Sequence, residues 1–165
     1  MKRLFTTMLV LIGLTPTGSF PALAQDANSY IDDRSDGAAL IRSLYNAIAR
    51  QEYARAYSYF GDQKPAGGYQ SFVDGYRDTV DVAVRTGPVT PEGAAGSTYE
   101  PVPVAVRSID KAGKEQVFAG CYLTRIASAT AQEPPFAPLH IEGAELEEVK
   151  GPWENAVPKV CHIPS

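Results

Sequence analysis

The apolar positions along the chain change their period once. Leu40, Ile41, Leu44, Tyr45 and Ile48 recur at helical spacing behind Asp36, a residue suited to cap a first helical turn. The pattern predicts an amphipathic helix of about 14 residues. Gln51-Glu52 breaks it, and Tyr53, Ala56, Tyr57 and Phe60 predict a short second helix ended by Gly61. A loop with Pro65, Gly67 and Gly68 leads to Tyr69, Phe72, Val73 and Tyr76, which suggest a third helix. From Thr79 onward the spacing becomes that of strands. Val80, Val82 and Val84 alternate with Thr79, Asp81 and Ala83, and a wide turn rich in Pro and Gly follows. Tyr99 to Ile109 alternates again, with Val102, Val104 and Val106 on one side. Asp110-Lys111-Ala112-Gly113 reads as a hairpin turn, Val117 to Ile126 as its returning strand, and Leu139 to Val149 as a last strand bent at Gly143. Pro101 and Pro103 lack backbone donors, which places that end of the second strand at an edge or a bulge.

Helices first and strands afterwards is an α+β order: three N-terminal helices packed on one face of a curved antiparallel sheet of about four strands. The expected organisation is a domain over residues 36–150, with a flexible lead-in over 25–35 and a Pro-rich tail over 151–165.

The first 24 residues read as a secretory signal. Lys2 and Arg3 precede an apolar run from Leu4 to Leu14, and Ala22-Leu23-Ala24 has the small-x-small form of a cleavage site. The run is shorter than the roughly 20 residues a membrane span requires. This implies a periplasmic or secreted protein, soluble after cleavage. Gln25, where a lipoprotein would carry Cys, excludes lipid attachment there.

Composition sharpens that picture. The 165 residues are 44% hydrophobic, enough for one packed core, and carry a net charge of −4. Loss of Lys2 and Arg3 leaves 13 basic against 19 acidic residues, a charge of −6. Such a surface disfavours nucleic acid and anionic membranes as partners. In an oxidising compartment the two cysteines, Cys121 and Cys161, are expected to form a disulfide that pins the tail, with Pro152, Pro158 and Pro164, onto the strand carrying Cys121.

Three segments, Leu44-Tyr45-Asn46-Ala47-Ile48, Glu52-Tyr53-Ala54-Arg55-Ala56-Tyr57 and Phe72-Val73-Asp74-Gly75-Tyr76, resemble the opening of the NTF2-like, or cystatin-like, α+β cone. More narrowly, Gly93-Ala94-Ala95-Gly96-Ser97, Phe118-Ala119-Gly120-Cys121-Tyr122 and Pro134-Pro135-Phe136 resemble a group of uncharacterised exported bacterial proteins. The resemblance covers residues 36–150. It implies an apolar pocket between helices and concave sheet, with Tyr45, Tyr57, Phe72, Tyr76 and Tyr122 near it. Tyrosines there suit a small hydrophobic ligand with one or two polar groups; the alternative is that they simply fill the core.

The wider fold hosts isomerases, dehydratases, ligand-binding domains and interaction modules, so fold alone does not give function. The leading expectation is a non-enzymatic binding or interaction module, taking a small apolar ligand or an envelope protein through the pocket or a sheet face. A homodimer would pair through Val102, Val104 and Val106 or the neighbouring row. The alternative is an isomerase- or dehydratase-like enzyme that abstracts a proton from a small lipophilic substrate. It needs a carboxylate base facing a phenol, and Asp78 and Asp81 with Tyr45 are the nominal candidates, Asp74 lying close by. Three acids at that spacing also describe a solvated face. A third reading is an inhibitor or immunity-type partner of a basic enzyme. His140, Glu142 and His162 do not make the three-ligand set of a catalytic zinc, and the glycine pairs lack the strand-to-helix context of a phosphate loop. No metal or cofactor is expected.

Overall fold

The computed structural model describes residues 29–161; the expected signal sequence, the start of the expected lead-in and the last four residues, His162 among them, lie outside these. Three helices come first: α1 (Gly37–Ala49), α2 (Tyr53–Ser58) and α3 (Gly68–Gly75). Five strands follow: β1 (Thr79–Thr86), β2 (Glu92–Ala94), β3 (Ser97–Asp110), β4 (Glu115–Ala127) and β5 (His140–Glu148), and then a single 3-10 turn at Trp153–Asn155. The sheet is antiparallel in the order β1-β3-β4-β5, with β2 also paired to β3. This is the α+β arrangement expected, three helices on one antiparallel sheet.

Local chemistry explains the elements. Asp36 caps α1, its carboxylate accepting from Ala39 N at 2.7 Å. The Gly37 amide donates to Glu100 on β3 at 2.5 Å, and a Cβ at Gly37 would collide with Glu100, Val102 and Thr124. The helix start can approach the sheet this closely only because residue 37 is glycine. From there Leu40, Ile41, Leu44 and Ile48 are buried with Val102, Val104, Val106 and Ile141. Burying each such side chain stabilises the fold by about 1.5–3 kcal/mol before entropy is charged.

The structure departs from the sequence reading in four places. The wide turn contains a strand: β2 pairs with the start of β3 through a tight turn in which Ala95 and Gly96 both have positive φ. Val80 is 60% exposed, because a register shift between Thr79 and Asp81 turns it away from the face occupied by Val82. Residues 29–35 are not free. Ile31 N donates to Asn46, Asp33 N to Ser43, and Tyr59 donates to Asp32, so the segment is tied to α1 and the end of α2. Finally, Val102, Val104 and Val106 lie beneath the helices, so this row offers no patch to a second copy.

Pro101 and Pro103 sit on a central strand but at a local edge. β1 pairs with residues 104–110 of β3 and β2 with 97–99, so the missing amides face a gap. The expected bend in β5 appears as a bulge: Leu123 faces Gly143 while Thr124 faces Ile141, leaving Glu142 as the extra residue.

The outer sheet face carries the tail. Cys121 is bonded to Cys161, closing a separation of 40 residues. Between them Trp153 lies over both Arg85 and Arg107, 4.5 and 5.3 Å from their guanidinium carbons, and Val157 covers Gly87. Among the described residues no helix is long and apolar enough to cross a membrane.

Candidate functional site

Strand alternation sends Val106 of β3, Phe118 and Tyr122 of β4, and Leu146 of β5 to the helix side of the sheet. α1 covers one part of that face, and α3 hangs over the rest. Between α3 and the sheet lies a cleft of about 460 Å³, of a size suited to a small molecule. Its walls are mostly apolar, with Ser71, Thr79, Ser108 and Gln116 as polar points, and no charged side chain lines it.

α3 is held from behind by rings. Phe72 packs against Tyr57 and Phe60, with centroids 5.6 and 5.9 Å away, and against Tyr76 at 5.2 Å; Tyr76 stacks on Tyr53. Four of the five expected pocket aromatics, Tyr45, Phe72, Tyr76 and Tyr122, line the cleft. Tyr57 does not. It stands on the α2 side, wedged against Tyr69 and Phe72, and supports α3 instead of facing the cavity.

Tyr45 and Tyr122 are each only 5% exposed, and their hydroxyls are 2.8 Å apart. One phenol donates to the other, so the accepting phenol has its own hydrogen unspent. Tyr76 makes no hydrogen bond among the described residues and likewise keeps its hydrogen. Burial pushes all three phenols up, Tyr76 to about 12 and Tyr45 and Tyr122 in the same direction. They are therefore neutral hydrogen-bond donors over the ordinary pH range, facing an apolar cavity.

The nominal catalytic acids do not reach it. Asp78 is 75% exposed and pairs with Lys111, Asp81 is 50% exposed and pairs with Arg107, and Asp74 pairs with Arg77. The cause is local. Asp78 lies in the turn after α3, and strand alternation with the inward Val82 puts Asp81 on the outer face with Arg107. A base-and-phenol constellation built from Tyr45 with Asp78 or Asp81 is thus excluded by geometry.

A second cleft of about 440 Å³ shares Phe72, Tyr76 and Tyr122 with the first and continues toward Lys64 and the Glu142 bulge. Glu142 is engaged there: His140 Nε2 lies 3.3 Å and Arg125 Nη1 4.0 Å from its carboxylate. Among the described residues no group of three or more His, Cys, Asp or Glu side chains could hold a metal ion.

The polar lining and Leu146 were not expected from the sequence. Their one signal was strand parity, which becomes informative only when the pairing of β3, β4 and β5 is known. No protein-family model and no curated protein matches the sequence. Among solved structures the chain is similar to a conserved protein from Planctomyces limnophilus DSM 3776, at 7% identity over 67% of this chain and 95% of that one, with a TM-score of 0.47. It is also similar to a type 2 hexachlorocyclohexane dehydrochlorinase (LinA), at 8% identity over 76% and 88%, with a TM-score of 0.48.

Proposed function

We propose that this is an exported, non-enzymatic binding protein whose cleft between α3 and the sheet takes the apolar body of a small molecule. The observation that carries the reading is the unspent phenolic hydrogen of a buried pair. Tyr45 and Tyr122 have one left over between them, beside an apolar cavity that the half-buried Tyr76 also lines. A buried donor without an acceptor costs about 1–3 kcal/mol, a deficit that a bound oxygen would remove. The fitting ligand is apolar with one or two oxygen acceptors, such as carbonyl, ether or hydroxyl oxygens. The outward placement of Asp74, Asp78 and Asp81 favours binding over proton abstraction. Export rests on the basic, apolar and small-residue pattern of the first 24 residues.

Titration with Nile red, a neutral dye bearing a carbonyl, tests the reading. Saturable binding with blue-shifted emission is expected. Ser108→Phe, which puts a ring into the cleft, should abolish binding, whereas Asp78→Asn and Asp81→Asn should leave it unchanged. Absence of saturable binding by the folded wild-type protein would sink the proposal.

A further inference from the structure

The two clefts share Phe72, Tyr76 and Tyr122 in their walls, so they lie side by side. Their electrostatics differ. The first has no charged lining residue, while the second has Lys64 and Glu142. These two charges are not equivalent. Glu142 already has the Arg125 guanidinium 4.0 Å away and the His140 ring 3.3 Å away as protein neighbours. Lys64 has no ion-pair partner among the described residues. Its ammonium donates to the Phe60 carbonyl at 2.5 Å and lies 5.2 Å from the centre of the Tyr57 ring. That holds the head group at the mouth, with two of its three donors unspent.

We infer that the ligand is an amphipathic monoanion: its apolar body fills the cleft lined by Phe72, Val106 and Phe118, and its carboxylate, or an equivalent acidic end, emerges at Lys64. This rests on the binding reading above and adds the charge and orientation of the ligand to it. A single unpaired cation at the open end of an uncharged cavity selects for one negative charge at that end of the ligand. The same mouth disfavours a cationic head, which would meet the Lys64 ammonium. The pairing forms at an exposed side chain, so it sets preference and orientation more than total affinity.

The test uses decanoate, methyl decanoate and decylammonium, each below its micellar concentration, as competitors of bound Nile red. Decanoate should compete about three- to fivefold better than the ester, and decylammonium worst. Lys64→Glu should erase or reverse the order of acid and amine and leave the ester unchanged. Lys64 is exposed, so the variant should fold, as Trp153 emission would verify. Equal competition by all three probes, unaltered by Lys64→Glu, would overturn the inference while leaving the binding reading in place. Failure of Nile red itself to bind would overturn both.

Discussion

The hydroxyls of Tyr45 on α1 and Tyr122 on β4 are 2.8 Å apart inside the protein, with the two rings edge to face at 6.3 Å. The pair couples the first helix to the middle of the sheet at the floor of the cleft. Its energetics are a matter of pairing. Tyr45→Phe or Tyr122→Phe leaves the other hydroxyl without its protein partner and should cost about 1–3 kcal/mol. The double variant should cost clearly less than the sum, because it strands no polar group. Urea denaturation of the four proteins gives the coupling directly, and strict additivity would show that the hydrogen bond contributes nothing.

Stability should fall at high pH. Tyr76 is raised from 10.0 to about 12 by burial, and Tyr45 and Tyr122 move the same way. The folded state holds these protons more tightly than the unfolded chain does. Their contribution is therefore complete below pH 10 and is lost as pH rises through the folded values. Two units at Tyr76 alone correspond to about 2–3 kcal/mol. Phenolate absorbance should show these tyrosines ionising late and together with unfolding; early, independent ionisation of all the tyrosines would contradict their burial.

The strap across the outer sheet face makes its own claim. The Cys121–Cys161 bridge closes 40 residues, for which loop entropy gives about 4 kcal/mol of stabilisation. Cys121→Ala with Cys161→Ala should remove most of that and loosen the tail. Trp153 is the sole tryptophan, so its emission should shift to the red as it leaves Arg85 and Arg107. Unchanged emission would mean that the cation contacts hold the tail unaided. The wild-type protein, denatured without reductant, should contain no free thiol.

Two glycines on neighbouring strands should respond very differently. A Cβ at Gly120 would overlap the backbone of Glu145 and Leu146, so β4 and β5 approach there only without a side chain. Gly120→Ala should cost about 3 kcal/mol or more. Gly143, at the bulge, has open space around it, and Gly143→Ala should fall within about 0.5 kcal/mol of wild type. Thermal denaturation of the two variants measures the contrast; equal effects would refute this packing of β5 on β4.

Much of the fold was legible because it is written in short-range pattern. Asp36 marks the start of α1, and Leu40, Ile41, Leu44 and Ile48 mark its buried stripe. The valine row of β3 follows from period two. β2 was hidden because three exposed residues, Glu92 to Ala94, carry no alternation of burial. The outward turn of Val80 was hidden for another reason: a bulge is a property of two paired strands, and neither sequence alone announces it. The site was legible by residue type and not by contact. Tyr45, Phe72, Tyr76 and Tyr122 were recognised as a set, yet Tyr57 has the same chemistry and faces away from the cavity.

By itself the sequence determined the order of helices and strands, the capped amphipathic α1, the face of β3 that would be buried and the disulfide, because each depends on residue spacing or on a unique pair of cysteines. Tertiary structure alone decided that Asp78 pairs with Lys111, which tyrosines share a hydrogen bond, and that Lys64 and Glu142 line one cleft. Those relations join residues such as Tyr45 and Tyr122, 77 positions apart, and they exist only once register and packing have brought distant segments to one place.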